Sequence, residues 1–222
     1  MNPLIVALDH PDRAQILAWA TDFGPHVGMV KIGLEAFCAH GPDLVRSVHD
    51  HAEVFLDLKL HDIPNTVAGA ARQCNALGVS LLTVHASGGP EMIAAAVEAA
   101  PDVRVIAVTV LTSLDAQTLS VVGQGQDVNT QVQRLAKMAI DAGAAGVVCA
   151  PPDLVGVRRV IGDTPITVVP GIRPAGSAVG DQKRVATPEA ARAMGATYLV
   201  VGRPITCDPT PLKVISRLNG QH

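Results

Sequence analysis

Short apolar segments recur along the chain and alternate with longer stretches in which the apolar residues are spaced differently. Eight of these segments are bounded by glycine, proline or charged residues; they cover 4–8, 29–32, 54–58, 81–84, 103–110, 146–149, 166–169 and 198–201. Short apolar runs of this kind are typical of strands that are buried on both faces. The pattern therefore predicts eight strands.

The stretches between the predicted strands have helical spacing and are rich in alanine, most clearly at 66–77, 91–99 and 130–142. Four prolines mark helix starts, because the first turn of a helix tolerates a residue without an N–H. They are Pro11, Pro90, Pro152 and Pro188. Eight strand–helix alternations in 222 residues fit a closed barrel better than an open doubly wound sheet. We predict an α/β fold, a single-domain (β/α)8 TIM barrel over residues 1–222.

Composition narrows the classes of partner. The formal charge is −3, and the aromatic residues are one tryptophan, one tyrosine and three phenylalanines, so the chain lacks the basic surface and stacking platforms of nucleic-acid-binding proteins. No apolar run reaches the roughly 20 residues of a membrane span. We expect a cytoplasmic protein that binds neither nucleic acid nor membrane.

Metal, redox and common nucleotide motifs receive little support. The four cysteines are far apart, which favours buried free thiols, and the pair His49 and His51 has no acidic or cysteine neighbour that would favour a metal site over a solvated helix end. The turn after the first strand has no G-x-G-x-x-G, and no P-loop motif occurs. Dinucleotide and P-loop functions are therefore disfavoured.

Polar residues close the predicted strands. Asp9 ends the first strand, Lys31 lies in the second, and the third runs into Asp57 and Lys59; His85 ends the fourth. Catalytic groups of TIM barrels come from these carboxyl ends. Period-two alternation places Asp57 and Lys59 on the same face of the third strand, where Asp9 and Lys31 could join them. A satisfied ion pair that fills the barrel is the alternative interpretation.

The last two strands have the features of a phosphate site. Strand seven leads into Pro170, Gly171 and Arg173, and strand eight leads into Gly202 and Arg203. Barrels often bind phosphate on these two loops, where glycine permits close backbone approach and arginine binds oxygens bidentately. The glycine-bearing segment 174–184 is suited to a lid over bound substrate or to an idle surface loop.

Several motifs, in order along nearly the whole chain, resemble those of the orotidine 5'-phosphate decarboxylase family. The most specific is the run D-L-K-L-H-D-I-P-N-T at 57–66. The others are V-A-L-D at 6–9, K-I-G at 31–33, L-T-S at 111–113, P-G-I-R-P at 170–174, G-D-Q at 180–182 and V-G-R-P at 201–204.

The resemblance implies decarboxylation of orotidine 5'-monophosphate to UMP in pyrimidine biosynthesis by a homodimer with shared active sites, without metal or organic cofactor. Asp57, Lys59 and the partner's Asp62 would line the reacting carbon, with Lys31 compensating the carboxylates. Substrate-binding positions carried over by the motifs are Asp9, Lys31, Ile63, Thr66, Thr112, Ser113, Pro170, Arg173, Gln182, Gly202 and Arg203.

Two other functions stay open. A metal-dependent sugar-phosphate decarboxylase or aldolase of the same superfamily shares the D-x-K-x-x-D strand, but such relatives generally carry an acidic metal ligand at the position of Lys31, and a lysine would repel Mg²⁺. A non-catalytic phosphate-binding barrel is the second alternative, because fold alone does not fix function.

Overall fold

The chain forms a closed barrel of eight parallel strands, as seen in a computed structural model that describes residues 2–125, 127–173 and 184–220. The strands are β1 (Leu4–Ala7), β2 (Met29–Gly33), β3 (Val54–Leu60), β4 (Leu81–His85), β5 (Arg104–Val108), β6 (Gly146–Val148), β7 (Ile166–Val169) and β8 (Tyr198–Val201). Each strand pairs with the next along the chain, and β1 pairs with β8. The predicted fold class and all eight strands are confirmed.

Helices surround the barrel. They are α1 (Arg13–Phe23), α2 (Leu34–His49), α3 (Pro64–Ala76), α4 (Pro90–Ala99), α5 (Ala116–Val121), α6 (Val128–Asp141), α7 (Leu154–Ile161), α8 (Pro188–Ala193), α9 (Arg203–Thr206) and α10 (Pro211–Leu218). Within the described ranges, none of the helices combines the length and the apolar character needed to cross a bilayer.

Two of the four proline helix starts are confirmed and two are wrong. Pro90 and Pro188 open α4 and α8. Pro11 precedes α1, whose N-cap is Asp12. The Asp12 carboxylate accepts a hydrogen bond from the backbone N–H of Ala14 in the first turn, and a proline side chain has no acceptor for such a bond. Pro152 lies instead in a short 3-10 turn ahead of α7.

The apolar residues form two layers, because successive residues of a strand point to opposite faces. One layer fills the barrel interior and includes Ile5, Phe55, Leu81, Ile106 and Tyr198. The other packs the outer faces of the strands against the helices. The burial of each large aliphatic side chain stabilises the folded state by roughly 1.5–3 kcal/mol. The interior layer closes the barrel below its carboxyl-terminal mouth and leaves that mouth as a cavity.

Strand β3 departs from regular pairing near its end. Leu56 pairs with Leu82 and Leu60 pairs with Val84, so three residues of β3 lie opposite Thr83 alone. Within this bulge Lys59 has φ 51°, a positive value found at no other non-glycine position among the described residues. Such a conformation costs on the order of 1–3 kcal/mol and recurs at functional sites.

The opposite end of the barrel contains a single arginine with many acceptors. The guanidinium of Arg158 donates to four backbone carbonyls and two threonine hydroxyls at 2.7–3.2 Å, those of Gly162, Asp163, Pro165, Gly195, Thr167 and Thr197. These groups lie at the amino-terminal ends of β7 and β8. Arg158 therefore joins the chain segments that enter the last two strands.

Candidate active site

A cavity of about 520 Å³ opens at the carboxyl ends of the strands. Polar side chains line it on two sides. Asp9, Lys31, Asp57 and Lys59 come from the ends of β1–β3, and Thr112, Pro170, Arg173, Gly202 and Arg203 come from the loops after β5, β7 and β8. The structure thus brings nine of the predicted site residues to one cavity.

Lysines and carboxylates alternate on the β1–β3 side. The Lys31 ammonium lies 3.0 Å from Asp9 Oδ1 and 3.6 Å from Asp57 Oδ2, and Lys59 Nζ donates to Asp57 Oδ1 at 2.8 Å. Asp57 therefore lies between two ammonium groups. Each oxygen of its carboxylate meets a different lysine: Oδ1 accepts from Lys59, and Oδ2 lies near Lys31.

Asp57 remains ionised although its side chain is only 13% exposed. Burial raises the pKa of the Asp57 carboxyl, but the charges of Lys31 and Lys59, together with hydrogen bonds from Lys59 and Thr83, outweigh burial and hold that pKa below its ordinary value of 3.8. Opposite charges and hydrogen bonds to the charged form act in this direction. At neutral pH the carboxylate is a fixed negative charge beside Lys59.

Gly33 leaves space for the close approach of the charged groups. A Cβ at this position would lie 2.8 Å from both Asp9 Oδ1 and Lys31 Nζ. Real side chains do not tolerate such contacts, so any larger residue would push apart the pair that Asp9 and Lys31 form. This contact explains the glycine in the K-I-G motif.

The opposite side of the cavity is positively charged. Arg173 and Arg203 both line it. Burial lowers the pKa of Arg173, and the charge of Arg203 lowers it further. Gly171, between Pro170 and Arg173, has φ 75°, a conformation natural for glycine. An anion placed between the two arginines would relieve their repulsion.

Other predicted residues lie away from the cavity of their own chain. Asp62, Ile63 and Thr66 are exposed where α3 begins, Ser113 is exposed after β5, and none of these four described residues lines the cavity. Gln182 and the predicted lid segment up to residue 183 lie outside the described residues. The roles carried over to all of these positions stay predictions.

Sequence reasoning missed several polar residues beside the site, among them Thr206, which lines the cavity from the end of α9. Glu35 lines the cavity from the first turn of α2, and Thr83 hydrogen-bonds to both Lys59 and Asp57 from inside β4. The sequence did contain a signal for Thr83. Leu81, Thr83 and His85 are every second residue of one strand and therefore point to the same face, and a polar residue within an inward-facing series is unusual.

The described part of the chain contains no group of three or more histidine, cysteine, aspartate and glutamate side chains placed to hold an ion. The expectation of buried thiols is correct for Cys74 and Cys149 and wrong for Cys38 and Cys207, which are exposed.

Two known proteins with similar sequences share one name. A chain from Thermobifida fusca is 53% identical over 94% of this chain and 91% of its own length, and one from Anaeromyxobacter sp. (strain K) is 54% identical over 94% and 92%. Both are called orotidine 5'-phosphate decarboxylase.

Solved structures agree with these relatives. The crystal structure of orotidine 5'-phosphate decarboxylase from Lactobacillus acidophilus has a TM-score of 0.88 at 36% identity and covers 99% of this chain and 98% of its own. The model of the family described as "Orotidine 5'-phosphate decarboxylase / HUMPS family" matches residues 2–218. The chain therefore belongs to the orotidine 5'-phosphate decarboxylase / HUMPS family.

Proposed function

We propose that the protein releases CO₂ from orotidine 5'-monophosphate and forms UMP, as a step of de novo pyrimidine biosynthesis. One observation carries this function: a lysine ammonium, held by a buried carboxylate, faces the same cavity as a pair of arginines. The cation can meet a developing carbanion, and the arginines can hold a phosphate. The names of the relatives supply the substrate.

Lys59 performs the chemical step in this proposal. When the bond between C6 and the carboxylate breaks, CO₂ leaves and the electron pair stays in an in-plane orbital of C6 that the ring cannot delocalise. The Lys59 ammonium offsets this charge and then gives its proton to C6. At about 4 Å and an effective dielectric near 20, two unit charges interact by roughly 4 kcal/mol.

Asp57 and Lys31 support Lys59. Asp57 is ionised and hydrogen-bonds to Lys59, so it favours the protonated amine that the reaction consumes. Lys31 balances the negative charge of Asp57 and Asp9. The same two residues, Asp9 and Lys31, are proposed to hold the ribose hydroxyls; the family motifs imply this role, and both residues line the cavity.

The phosphate and the base complete the substrate complex. Arg203 and the backbone of Gly202 would bind the phosphate with Arg173, as the charge on that side of the cavity favours. Ser113 and Gln182 would contact the pyrimidine, and Gln182 would also bridge toward the phosphate. Thr112 and Pro170 would be further substrate contacts; all of these roles come from the family motifs.

A homodimer would supply the remaining groups. Asp62, Ile63 and Thr66 are exposed, with Ile63 66% accessible, and an exposed apolar side chain next to an acidic one suits a contact with a second copy. In that dimer the partner's Asp62 would approach Lys59, and Ile63 and Thr66 would complete the neighbouring site. The active sites would then be shared across a two-fold axis.

The metal-dependent sugar-phosphate alternative conflicts with Lys31. Its ammonium lies between the carboxylates of Asp9 and Asp57 at 3.0 and 3.6 Å. A divalent cation that used these carboxylates would have to displace a lysine or lie against it. Hard cations such as Mg²⁺ require oxygen ligands without a competing positive charge.

Direct measurement of CO₂ release from orotidine 5'-monophosphate tests the proposed function. We expect stoichiometric CO₂ and UMP, with the same rate in EDTA. No release from the native protein would refute the activity, and a rate that EDTA abolishes and Mg²⁺ restores would favour the metal-dependent alternative.

Mixing two inactive variants tests the shared site. Lys59→Ala and Asp62→Ala should each lose activity as pure proteins. After subunit exchange, hybrid dimers would contain one intact site, and part of the activity should return. If mixing restores nothing although mass spectrometry detects hybrids, Asp62 does not act across the dimer.

A further inference from the structure

Thr83 is a buried polar residue directly beneath the proposed reaction centre. It lies in the middle of β4, is 0% exposed, and belongs to the inward-facing series that Leu81 begins and His85 ends. Its burial keeps it from touching a substrate. Any effect of Thr83 on the reaction must therefore act through its neighbours.

The hydroxyl of Thr83 joins two parts of the site. It accepts a hydrogen bond from the backbone N–H of Lys59 at 2.8 Å, and it donates to Asp57 Oδ1 at 3.0 Å. The same Oδ1 accepts from Lys59 Nζ at 2.8 Å. A closed circuit results, which runs from the Lys59 backbone through Thr83 and Asp57 to the Lys59 ammonium.

The bulge in β3 explains why a side chain is needed here. Three residues of β3 lie opposite Thr83, so the Lys59 N–H has left the regular ladder of backbone hydrogen bonds. Lys59 also has φ 51°, a conformation that persists only where surrounding contacts enforce it. The Thr83 hydroxyl provides the acceptor that the ladder would otherwise supply.

We propose that Thr83 is a positioning residue that fixes both the Lys59 backbone and the Asp57 carboxylate, and so aims the Lys59 ammonium into the cavity. This inference rests on the proposed function of Lys59. In this role the Thr83 hydroxyl, which lies outside the cavity, keeps the Lys59 ammonium and the Asp57 carboxylate in a fixed relative position.

Replacing the hydroxyl by a methyl group tests the role at nearly constant volume. In Thr83→Val the Lys59 N–H and Asp57 each lose a partner, and the ammonium loses its fixed direction. Misplacement of a reacting group by about 1 Å can cost on the order of 100-fold in rate. We expect kcat for CO₂ release to fall by about tenfold to 100-fold with KM little changed, and Thr83→Ser to restore most of kcat.

Thr109→Val is the matched control. Thr109 is also buried, at 4% exposure, but its hydroxyl donates to the backbone carbonyl of Val148 and not to the charged groups. All rates are corrected for the folded fraction measured by circular dichroism. Unchanged kcat in Thr83→Val, or an equal loss in Thr109→Val, would overturn the positioning role.

Amide hydrogen exchange at Lys59 gives a readout that needs no turnover. We expect slow exchange in the native protein, and exchange at least about tenfold faster in Thr83→Val but not in Thr109→Val. If the three proteins show this exchange pattern but the native protein releases no CO₂, the proposed activity is refuted while the link from Thr83 to Lys59 stands. Equal exchange in all three proteins would refute that link.

Discussion

The two ends of the barrel each contain partly buried cations, but they satisfy them differently. Arg158, at the amino-terminal end, donates to six neutral acceptors, all of them carbonyls or hydroxyls. Lys59, at the carboxyl-terminal mouth, donates to the carboxylate of Asp57 and keeps 28% of its side chain exposed. An ammonium has three donors, and among the described residues only this one bond uses them.

This difference separates a structural cation from a reactive one. Neutral acceptors on every side leave Arg158 no capacity for a further ligand, so it can only hold chain segments together. A carboxylate on one side leaves Lys59 charged, oriented and able to bind a new partner. Mutations at the carboxyl-terminal mouth should therefore reduce turnover, whereas mutations at the amino-terminal end should reduce stability.

The largest effect is expected for Lys59→Ala. Removal of the ammonium removes roughly 4 kcal/mol of charge stabilisation, so kcat for CO₂ release should fall at least about 1000-fold. Binding of UMP, measured by calorimetry, should remain measurable. Lys137→Ala is the control, because the Lys137 side chain is 58% exposed and pairs with Asp141 on the surface; it should retain full turnover. Native-like turnover of Lys59→Ala would reject the assignment.

Arg203→Ala should have the next largest effect, on binding. Hydrogen bonds to a charged group contribute about 1.5–3 kcal/mol, so KM for orotidine 5'-monophosphate should rise about tenfold to 100-fold. The unphosphorylated nucleoside is the internal control and should bind equally to both proteins. A matching loss of nucleoside affinity would mean that Arg203 does not act through the phosphate.

Arg158→Met should affect stability and leave turnover per folded molecule unchanged. We expect the free energy of unfolding to decrease by about 2 kcal/mol, which corresponds to a decrease in Tm of roughly 4–8 °C for a chain of this size. The adjacent Arg159 is exposed, so Arg159→Met controls for lost charge. A change in kcat at Arg158→Met, with Tm unaltered, would contradict the division between the two ends.

His85 should have the smallest effect, on the pH dependence of stability. Burial lowers the pKa of His85 below 6.5, as do the charges of His61 and Lys59, against the opposing charge of Asp57. The unfolded chain therefore binds a proton more readily, and the stabilising contribution is lost as pH falls from 6.5 toward the folded pKa. His85→Gln should show a shallower decrease in Tm over this range, whereas exposed His51→Gln should match the native protein.

Much of the fold follows from the sequence, and the reasons are local. The eight strands are visible because buried parallel strands are apolar on both faces, and Asp9, Lys31, Asp57 and Lys59 stand out because they interrupt that pattern. Proline is a weaker signal: Asp12, two residues before Ala14, accepts the capping bond, and so decides where α1 begins.

The details of the site depend on three-dimensional pairing that periodicity does not contain. Alternation correctly places Asp57 and Lys59 on one side, but it gives no hint that the strand bulges or that Lys59 adopts φ 51°. The hydrogen bond from the Lys59 backbone N–H to Thr83 joins residues that lie 24 positions apart in the chain, so no local pattern predicts it. The exposure of Cys38 likewise depends on which face of α2 meets the barrel, and Cys207 is exposed just after α9 ends.

The bulge in β3 adds two residues opposite β4, and that number is even. Leu56 before it and Leu60 after it therefore both face the helices, in register with Leu82 and Val84. Removal of one residue would reverse the facing of every later side chain in the strand. A single deletion ahead of Lys59 would therefore turn Lys59 toward the helices and Leu60 toward the barrel interior, whereas the loss of two residues would keep both facings.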